Sequence, residues 1–181
     1  MKLLNKLGVL IATVCLTQTS VQAQVCKQDK MAPTHGAGHY LVLDDIGLVT
    51  DIVNGLQWRL CSYGQEFDAE SKSCLGNPKP FNTFKEALNE PITEFAGYNN
   101  WRLPNIKELG TLVDRTCVAP AINLAIFPST PSSVYWSSTY DHQINVSKGV
   151  YGRVVDFTDG TEFLDNLDSH RFVRLVRSIV E

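Results

Sequence analysis

Gly97-Tyr98-Asn99-Asn100-Trp101-Arg102-Leu103-Pro104-Asn105-Ile106-Lys107-Glu108-Leu109 is the stretch whose reading decides the fold. Gly97 to Asn100 reads as a turn. Trp101-Arg102-Leu103 is short and extended, because the residue before a proline avoids the helical region. Asn105 followed three residues later by Glu108 matches an N-cap with a capping box, so a helix is predicted to begin at Ile106. Ile106, Leu109, Leu112 and Val113 then share one apolar face, and the helix is expected to stop near Asp114.

Toward the N-terminus, Lys79-Pro80 precedes a second helical pattern over Phe81 to Phe95. Phe84, Ala87, Leu88 and Ile92 fall at helical spacing, and Pro91 is expected to end or bend that helix. Tyr40-Leu41-Val42-Leu43 and Leu48-Val49-Thr50-Asp51 are strand candidates. Asn54-Gly55 is a hairpin signal into Leu56-Gln57-Trp58-Arg59-Leu60, where Leu56, Trp58 and Leu60 alternate onto one side. Toward the C-terminus, Val134 to Thr139, Gly149 to Thr158, Thr161 to Leu164 and Phe172 to Ile179 read as strands. Polar turns at Asp159-Gly160 and Asp165-Asn166 separate some of them. Two helices in the first half with short, mostly antiparallel strands elsewhere predict an α+β fold, not a wound βαβ sheet.

The first residues are expected to be removed on export. Lys2 and Lys6 give a basic start, Leu7 to Leu16 is a short apolar run, and Val21-Gln22-Ala23 resembles a cleavage site. Cys15 falls inside that peptide. The expected organisation is a signal peptide over 1–23, an N-terminal arm over 24–38 broken by Pro33 and Gly36, and a single domain over 39–181. No later segment approaches the ~20 apolar residues a spanning helix needs, so no transmembrane segment is expected. Cleavage after Ala23 leaves 158 of the 181 residues. Losing two of 16 basic residues against 19 acidic ones gives a net charge of −5. That balance argues against nucleic-acid or anionic-membrane binding, which needs a basic footprint.

Cys26, Cys61, Cys74 and Cys117 remain. An even number in an exported chain reads as two disulfides, with three connectivities. Cys61 and Cys74 flank a short polar segment containing Gly64, which pairs them and leaves Cys26 with Cys117. The short loop contributes roughly 3 kcal/mol in the chain-entropy model, and the long one somewhat more. The spacings are too wide for the paired-cysteine knuckles of a zinc site.

With these residues in place, the chain resembles the Lcl C-terminal domain family. The resemblance rests on Asn54 to Gln65, Cys74, Phe84-Lys85-Glu86-Ala87-Leu88, Gly97 to Asp114, Pro120-Ala121-Ile122-Asn123, Phe127-Pro128, Tyr135 to Thr139 and Val173 to Arg177. It implies a bacterial exported domain of C-type-lectin-like fold, related to the formylglycine-generating enzyme. It also implies an adhesin-type setting in contact with glycans or matrix. The chain departs from that setting in lacking a Gly-X-Y stalk and in its acidic charge.

Trp58, Trp101 and Trp136 could stack on sugar rings, but Trp58 and Trp101 lie in apolar or alternating stretches and read as core. Trp136 sits among Tyr135, Ser137, Ser138 and Tyr140. With Tyr140, Asp141 and His142 it is the candidate ligand-binding set. Asp156, Asp159 and Glu162 are the candidate metal ligands, for calcium, in a region that also holds Asp165 and Asp168. The competing reading is a solvated acidic hairpin. His35 and His39 flank Gly36-Ala37-Gly38, which resists helix formation, so they read as part of a flexible arm. Arg174 and Arg177 are expected to make salt bridges or hydrogen bonds, with Asp114 or Glu108 as acids in reach. Asn145-Val146-Ser147 fits a glycosylation sequon.

No nucleophile elbow, phosphate loop or His-Glu-x-x-His helix is present, and no catalytic residue is assigned. The expected function is a secreted or periplasmic, non-enzymatic binding module for a glycan or an envelope protein, working through the loops between Val134 and His170. The alternative is a structural component of a surface fibre or envelope complex, with an enzyme of the formylglycine-generating type behind both. An oligomer is compatible with the sequence.

Overall fold

The computed structural model describes residues 23–90, 92, 94–142 and 150–179. The expected signal peptide as far as residue 22, Cys15, Pro91 and the Asn145-Val146-Ser147 sequon lie outside the described residues, as does the side chain of His142.

Three hairpins with glycine-closed loops organise the described residues. β2 (Tyr40–Leu43), following the short β1 (Val25–Cys26), turns into β3 (Leu48–Asp51), and β3 turns into β4 (Leu56–Arg59). The register pairs Leu43 with Leu48 and Asp51 with Leu56, so both loops hold four residues. The Asn54-Gly55 signal therefore closes a four-residue loop and not a two-residue turn. Each loop ends on a glycine at positive φ, Gly47 at 71° and Gly55 at 65°, a conformation other residues reach only with strain. The third hairpin has the same form. Asp156 pairs with Thr161 across residues 157–160, and Gly160 has φ 82°. Asp51 also fastens its own loop by accepting from the Asn54 backbone N–H at 3.0 Å and its side-chain amide at 2.7 Å.

β5 (Glu66–Asp68) and β6 (Ser73–Leu75) form a small ribbon, and β7 (Cys117–Val118) pairs with β1. β8 (Val134–His142), β9 (Val150–Asp156) and β10 (Thr161–Asn166) make a three-stranded antiparallel sheet. β11 (Val176–Ser178) completes a four-stranded sheet in the order β11-β4-β3-β2. The disulfides join Cys26 to Cys117 across the β1–β7 pair and Cys61 to Cys74 beside the β5–β6 ribbon.

The helices are short. α1 runs over Phe84–Asn89, six residues, with Thr83 capping it by accepting from the Glu86 N–H. α2 runs over Ile106–Gly110, five residues, with the Asn105–Glu108 capping box formed in both directions. The fold is therefore mostly β, with several small antiparallel sheets. It is not the α+β, C-type-lectin-like arrangement expected from the sequence: the two helices are present, but so short that strands dominate. Tertiary contacts override the helical pattern. Phe81 is drawn into a bridge with Arg171, Phe95 into a bridge with Tyr98, and Glu90 is already extended at ψ 124° ahead of Pro91. Beyond Gly110, Val113 bridges Ile122, so α2 stops short of Asp114.

Two apolar clusters form the core. One gathers Val49, Trp58, Leu60, Leu109, Ile122, Phe127, Tyr135, Val155 and Val176. The other gathers Leu48, Phe81, Phe84, Trp101, Leu103, Trp136, Val154 and Leu175. Neighbours in sequence thus fall in different clusters: Leu48 and Val49, Tyr135 and Trp136, Val154 and Val155, Leu175 and Val176. These strand segments are buried on both faces, which is why they read as paired apolar residues and not as alternation.

Candidate functional site

The sequence motifs meet inside the core. The segment from Arg171 to Ser178 threads between the other elements. Its backbone bonds to Phe81, to Val134 and Trp136, to Tyr63, to Arg59 and to Arg102, with donor–acceptor distances of 2.9 to 3.3 Å. The register of β8 shifts at a bulge between Trp136 and Tyr140, where Ser137 is buried and Ser138 half-buried. Ser137 Oγ donates to the Arg153 carbonyl at 2.8 Å, the Ser138 N–H donates to the Pro104 carbonyl at 2.7 Å, and Thr139 Oγ1 accepts from the Ile106 N–H at 3.0 Å. The Tyr-Trp-Ser-Ser-Thr stretch therefore grips the start of α2. Trp136 is fully buried against Phe84, so it is a core residue and not the surface contact expected of it. The hydroxyls of Ser137 and Thr139 beside it bond to backbone instead of facing water.

Arg174 is also fully buried. Its guanidinium donates to the carbonyls of Leu60 at 2.8 Å and Arg59 at 3.1 Å and to the hydroxyls of Thr130 at 2.6 Å and Ser62 at 3.3 Å, and it lies over the Phe127 ring. Burial pushes its pKa down to about 10, while nearby Tyr135 raises it. The expected pairing of Arg174 with Glu108 or Asp114 does not form. Glu108 is bound by Arg102 through two bonds of 2.8 Å, and Asp114 accepts from Thr34 and Thr116.

The concave surface lies elsewhere. A cleft of about 340 Å³ opens between the end of β4 and the β5–β6 ribbon, beside the Cys61–Cys74 disulfide. Phe67 forms one wall, packed against Gly47 so closely that a Cβ there would come within 3.1 Å of its ring. Phe95 and Arg59 form another, with the guanidinium 4.4 Å from the Phe95 centroid and 5.1 Å from that of Trp101. Burial lowers the Arg59 pKa to about 10. Tyr63 lines the floor, its hydroxyl donating to Glu90 at 2.8 Å. Burial and that bond push its pKa up to about 12. Gln65 is fixed by accepting from the Ser62 N–H and donating to the Gly76 carbonyl, and Asp45 and Glu66 stand exposed at the rim.

A shallower groove of about 470 Å³ lies across the Phe95–Tyr98 turn, lined by Gly97, Tyr98, Asn99, Asn100, Arg177 and Ile179. Arg177 stacks 3.4 Å from the Tyr98 centroid and donates to Gln57 at 2.8 Å.

Residues 47–177 match the family model described as the Lcl C-terminal domain. The chain belongs to the Lcl C-terminal domain family. No curated protein and no solved structure matches the chain. Membership is consistent with a non-enzymatic extracellular module. The two disulfides are consistent with secretion, and among the described residues no helix is long and apolar enough to cross a membrane.

Within this Lcl C-terminal domain the other expected site residues are placed as follows. Tyr140 is exposed on β8. Asp141 and Glu162 both bind Arg153, at 2.6 and 2.7 Å, and these bonds raise the Arg153 pKa. Asp156 accepts from the Thr158 N–H, and Asp159 from the N–H and hydroxyl of Thr161, which hold its carboxyl below the usual range. The candidate calcium ligands are thus shared among an ion pair and two separate turn bonds. Among the described residues, no group of three or more His, Cys, Asp or Glu is arranged to hold a metal ion.

The N-terminal arm is docked rather than free. Gln24 donates to the carbonyls of Pro120 and Ile122, His35 lies 2.7 Å from the Thr111 carbonyl, and His39 lies 3.1 Å from buried Asp51. The cleft escaped sequence reading because its walls come from segments far apart in the chain. The one local signal was the clustering of Tyr63, Gly64, Gln65 and Phe67 between Cys61 and Cys74.

Proposed function

We propose that this Lcl C-terminal domain is an exported, non-enzymatic module that recognises a glycan at the cleft between β4 and the β5–β6 ribbon. The observation that carries this reading is the cleft itself, a shaped concavity with aromatic walls and a few convergent polar groups, which is the usual form of a small-ligand site. Phe67 and Phe95 offer apolar ring faces. Gln65, Asp45 and Glu66 offer an amide and carboxylates for hydroxyl groups. The hydroxyls of Tyr63 and Ser62 are engaged with Glu90 and Tyr135, which suits fixed recognition better than proton transfer.

The test is a glycan array probed with the oxidised, mature chain alongside a Phe67→Ala, Gln65→Ala double variant. Binding that the double variant loses at a temperature where it is still folded supports the reading. A blank array together with a blank envelope pull-down removes it.

A second reading, assembly into a surface fibre or envelope complex, is favoured by one observation. β2 is at the edge of the four-stranded sheet with Leu41 and Val42 exposed, and the adjacent loop presents Ile52 and Val53 at 56% and 69% exposure. Co-purification with an envelope assembly, lost on Val53→Lys but kept in the cleft variant, would select this reading over the first.

A further inference from the structure

The cleft and the Tyr98 groove flank a single turn. Gln57 and Arg59 lie two residues apart on β4 and so share a face. Arg177 on β11 stands opposite Gln57 and bonds to it. The turn from Phe95 to Tyr98 lies over that face. Phe95 rests on the Arg59 guanidinium on the cleft side, and Tyr98 rests on the Arg177 guanidinium on the groove side.

The turn is rigidly held. The Phe95 N–H donates to the Tyr98 carbonyl at 2.9 Å, the Tyr98 N–H donates to the Phe95 carbonyl at 3.0 Å, and the Trp101 indole N–H donates to the Phe95 carbonyl at 3.2 Å. Tyr98 is 38% exposed, with one region of its ring covered by Arg177 and held there. Asn99 and Asn100 are both exposed beside it, lining the same groove. An aromatic ring fixed in place with two amides at its edge can stack on a sugar ring and bond its hydroxyls at little entropic cost.

Resting on the glycan-binding reading above, we infer that the ligand is a chain of several sugar units, which enters the cleft at one end and crosses the Phe95–Tyr98 turn to lie along Tyr98, Asn99 and Asn100. The groove is then a second subsite. Affinity grows with chain length because the second contact is made within an already bound ligand.

The experiment is amide-shift mapping by NMR on the mature, oxidised chain. The probes are single sugars and hexasaccharides of three neutral types, cello-, malto- and chito-oligosaccharides. The expected result has two parts. A hexasaccharide shifts the amides of Gln65 and Phe67 together with those of Tyr98 and Asn99. The matching single sugar shifts only the cleft set and binds at least tenfold more weakly. Tyr98→Ala removes about tenfold of hexasaccharide affinity, the size of an aromatic contact, and leaves single-sugar binding unchanged. Asn99→Ala, an exposed change, tests the same subsite without disturbing the Arg177 stack.

Shifts confined to the cleft, with equal affinity for both lengths, overturn the chain-length inference and leave the glycan-binding reading standing. No shift with any probe of either length overturns both.

Discussion

Replacing Arg174 by methionine tests how the closing Val173-Arg174-Leu175-Val176-Arg177 segment holds the fold. Two opposing terms decide the outcome. Burial depresses the Arg174 pKa from 12.5 to about 10, which at about 1.4 kcal/mol per pH unit sets roughly 3 kcal/mol against the charged form. Because the folded pKa lies below the unfolded one, that penalty is fully present below about pH 10, and methionine relieves it. Against this, methionine strands the buried Leu60 carbonyl and removes a donor from the Arg59 carbonyl, both of which accept from Arg174. Each stranded buried acceptor costs about 1–3 kcal/mol. The hydroxyls of Thr130 and Ser62 are less exposed to loss, since Thr130 also donates to the Phe127 carbonyl and Ser62 also bonds Tyr135. Methionine keeps most of the contact with Phe127.

The expected net loss for Arg174→Met is about 2 kcal/mol. Arg174→Ala adds a cavity and should lose about 5 kcal/mol. The assay is urea denaturation of the oxidised chain at pH 7, with melting temperatures as a second measure. For a chain of this size 2 kcal/mol lowers the midpoint by about 4–8 °C. Arg174→Met as stable as the parent, or more so, would refute the claim that the two carbonyls depend on this guanidinium.

Other outcomes follow from the packing and the ion pairs. Gly152→Ala should destabilise by about 2–3 kcal/mol, since the new Cβ meets Trp136 Cζ3 at 2.5 Å and Phe84 Cδ2 at 3.2 Å, both on rings with no room to move; thermal denaturation reads it directly. Burial pushes the Glu108 carboxyl up, but bonds from Arg102 and the Asn105 N–H outweigh it and hold the pKa below 4.5. A depressed acid stabilises above its unfolded value, so Glu108→Gln should lose about 1–2 kcal/mol at pH 7. The gap should close as pH falls below 4.5, and equal losses at pH 7 and pH 3 would contradict it. Non-reducing peptide mapping should join Cys61 to Cys74 and Cys26 to Cys117. Replacing Cys61 and Cys74 together by alanine should lower stability by about 3 kcal/mol in a denaturant titration.

Local chemistry was legible in the sequence, and long-range packing was not. The Asn105–Glu108 capping box formed as read because it needs only four consecutive residues. The helix over Phe81 to Phe95 shrank to Phe84–Asn89 because Phe81 is taken by Arg171, remote in sequence, and Phe95 by the local turn to Tyr98. Trp136 read as a surface residue from its polar neighbours, yet Ser137 and Thr139 spend those polar groups on the backbone of β9 and the start of α2. The hairpin loops carry a glycine four residues after the end of each strand; Gly55 and Gly160 were legible as turns, whereas Gly47 went unused. The cleft was hidden for a different reason. Phe95 and Arg59 are distant in sequence, and only the folded chain stacks them into one wall.

The central claim is that the largely buried Trp101-Arg102-Leu103, Tyr135-Trp136-Ser137 and Val173-Arg174-Leu175 segments build a scaffold while recognition belongs to the cleft beside Cys61–Cys74. Its most direct test is a paired measurement on the glycan-bound mature chain: affinity and melting temperature for Phe67→Ala with Gln65→Ala, and for Gly152→Ala. The cleft variant should lose at least tenfold in affinity at a temperature where it is folded, although losing the Phe67 packing and the Gln65 bonds lowers its melting temperature. The Gly152 variant should melt lower yet bind normally at a temperature where it is folded. The reverse pattern, with binding lost in the folded Gly152 variant and retained in the cleft variant, would contradict the account.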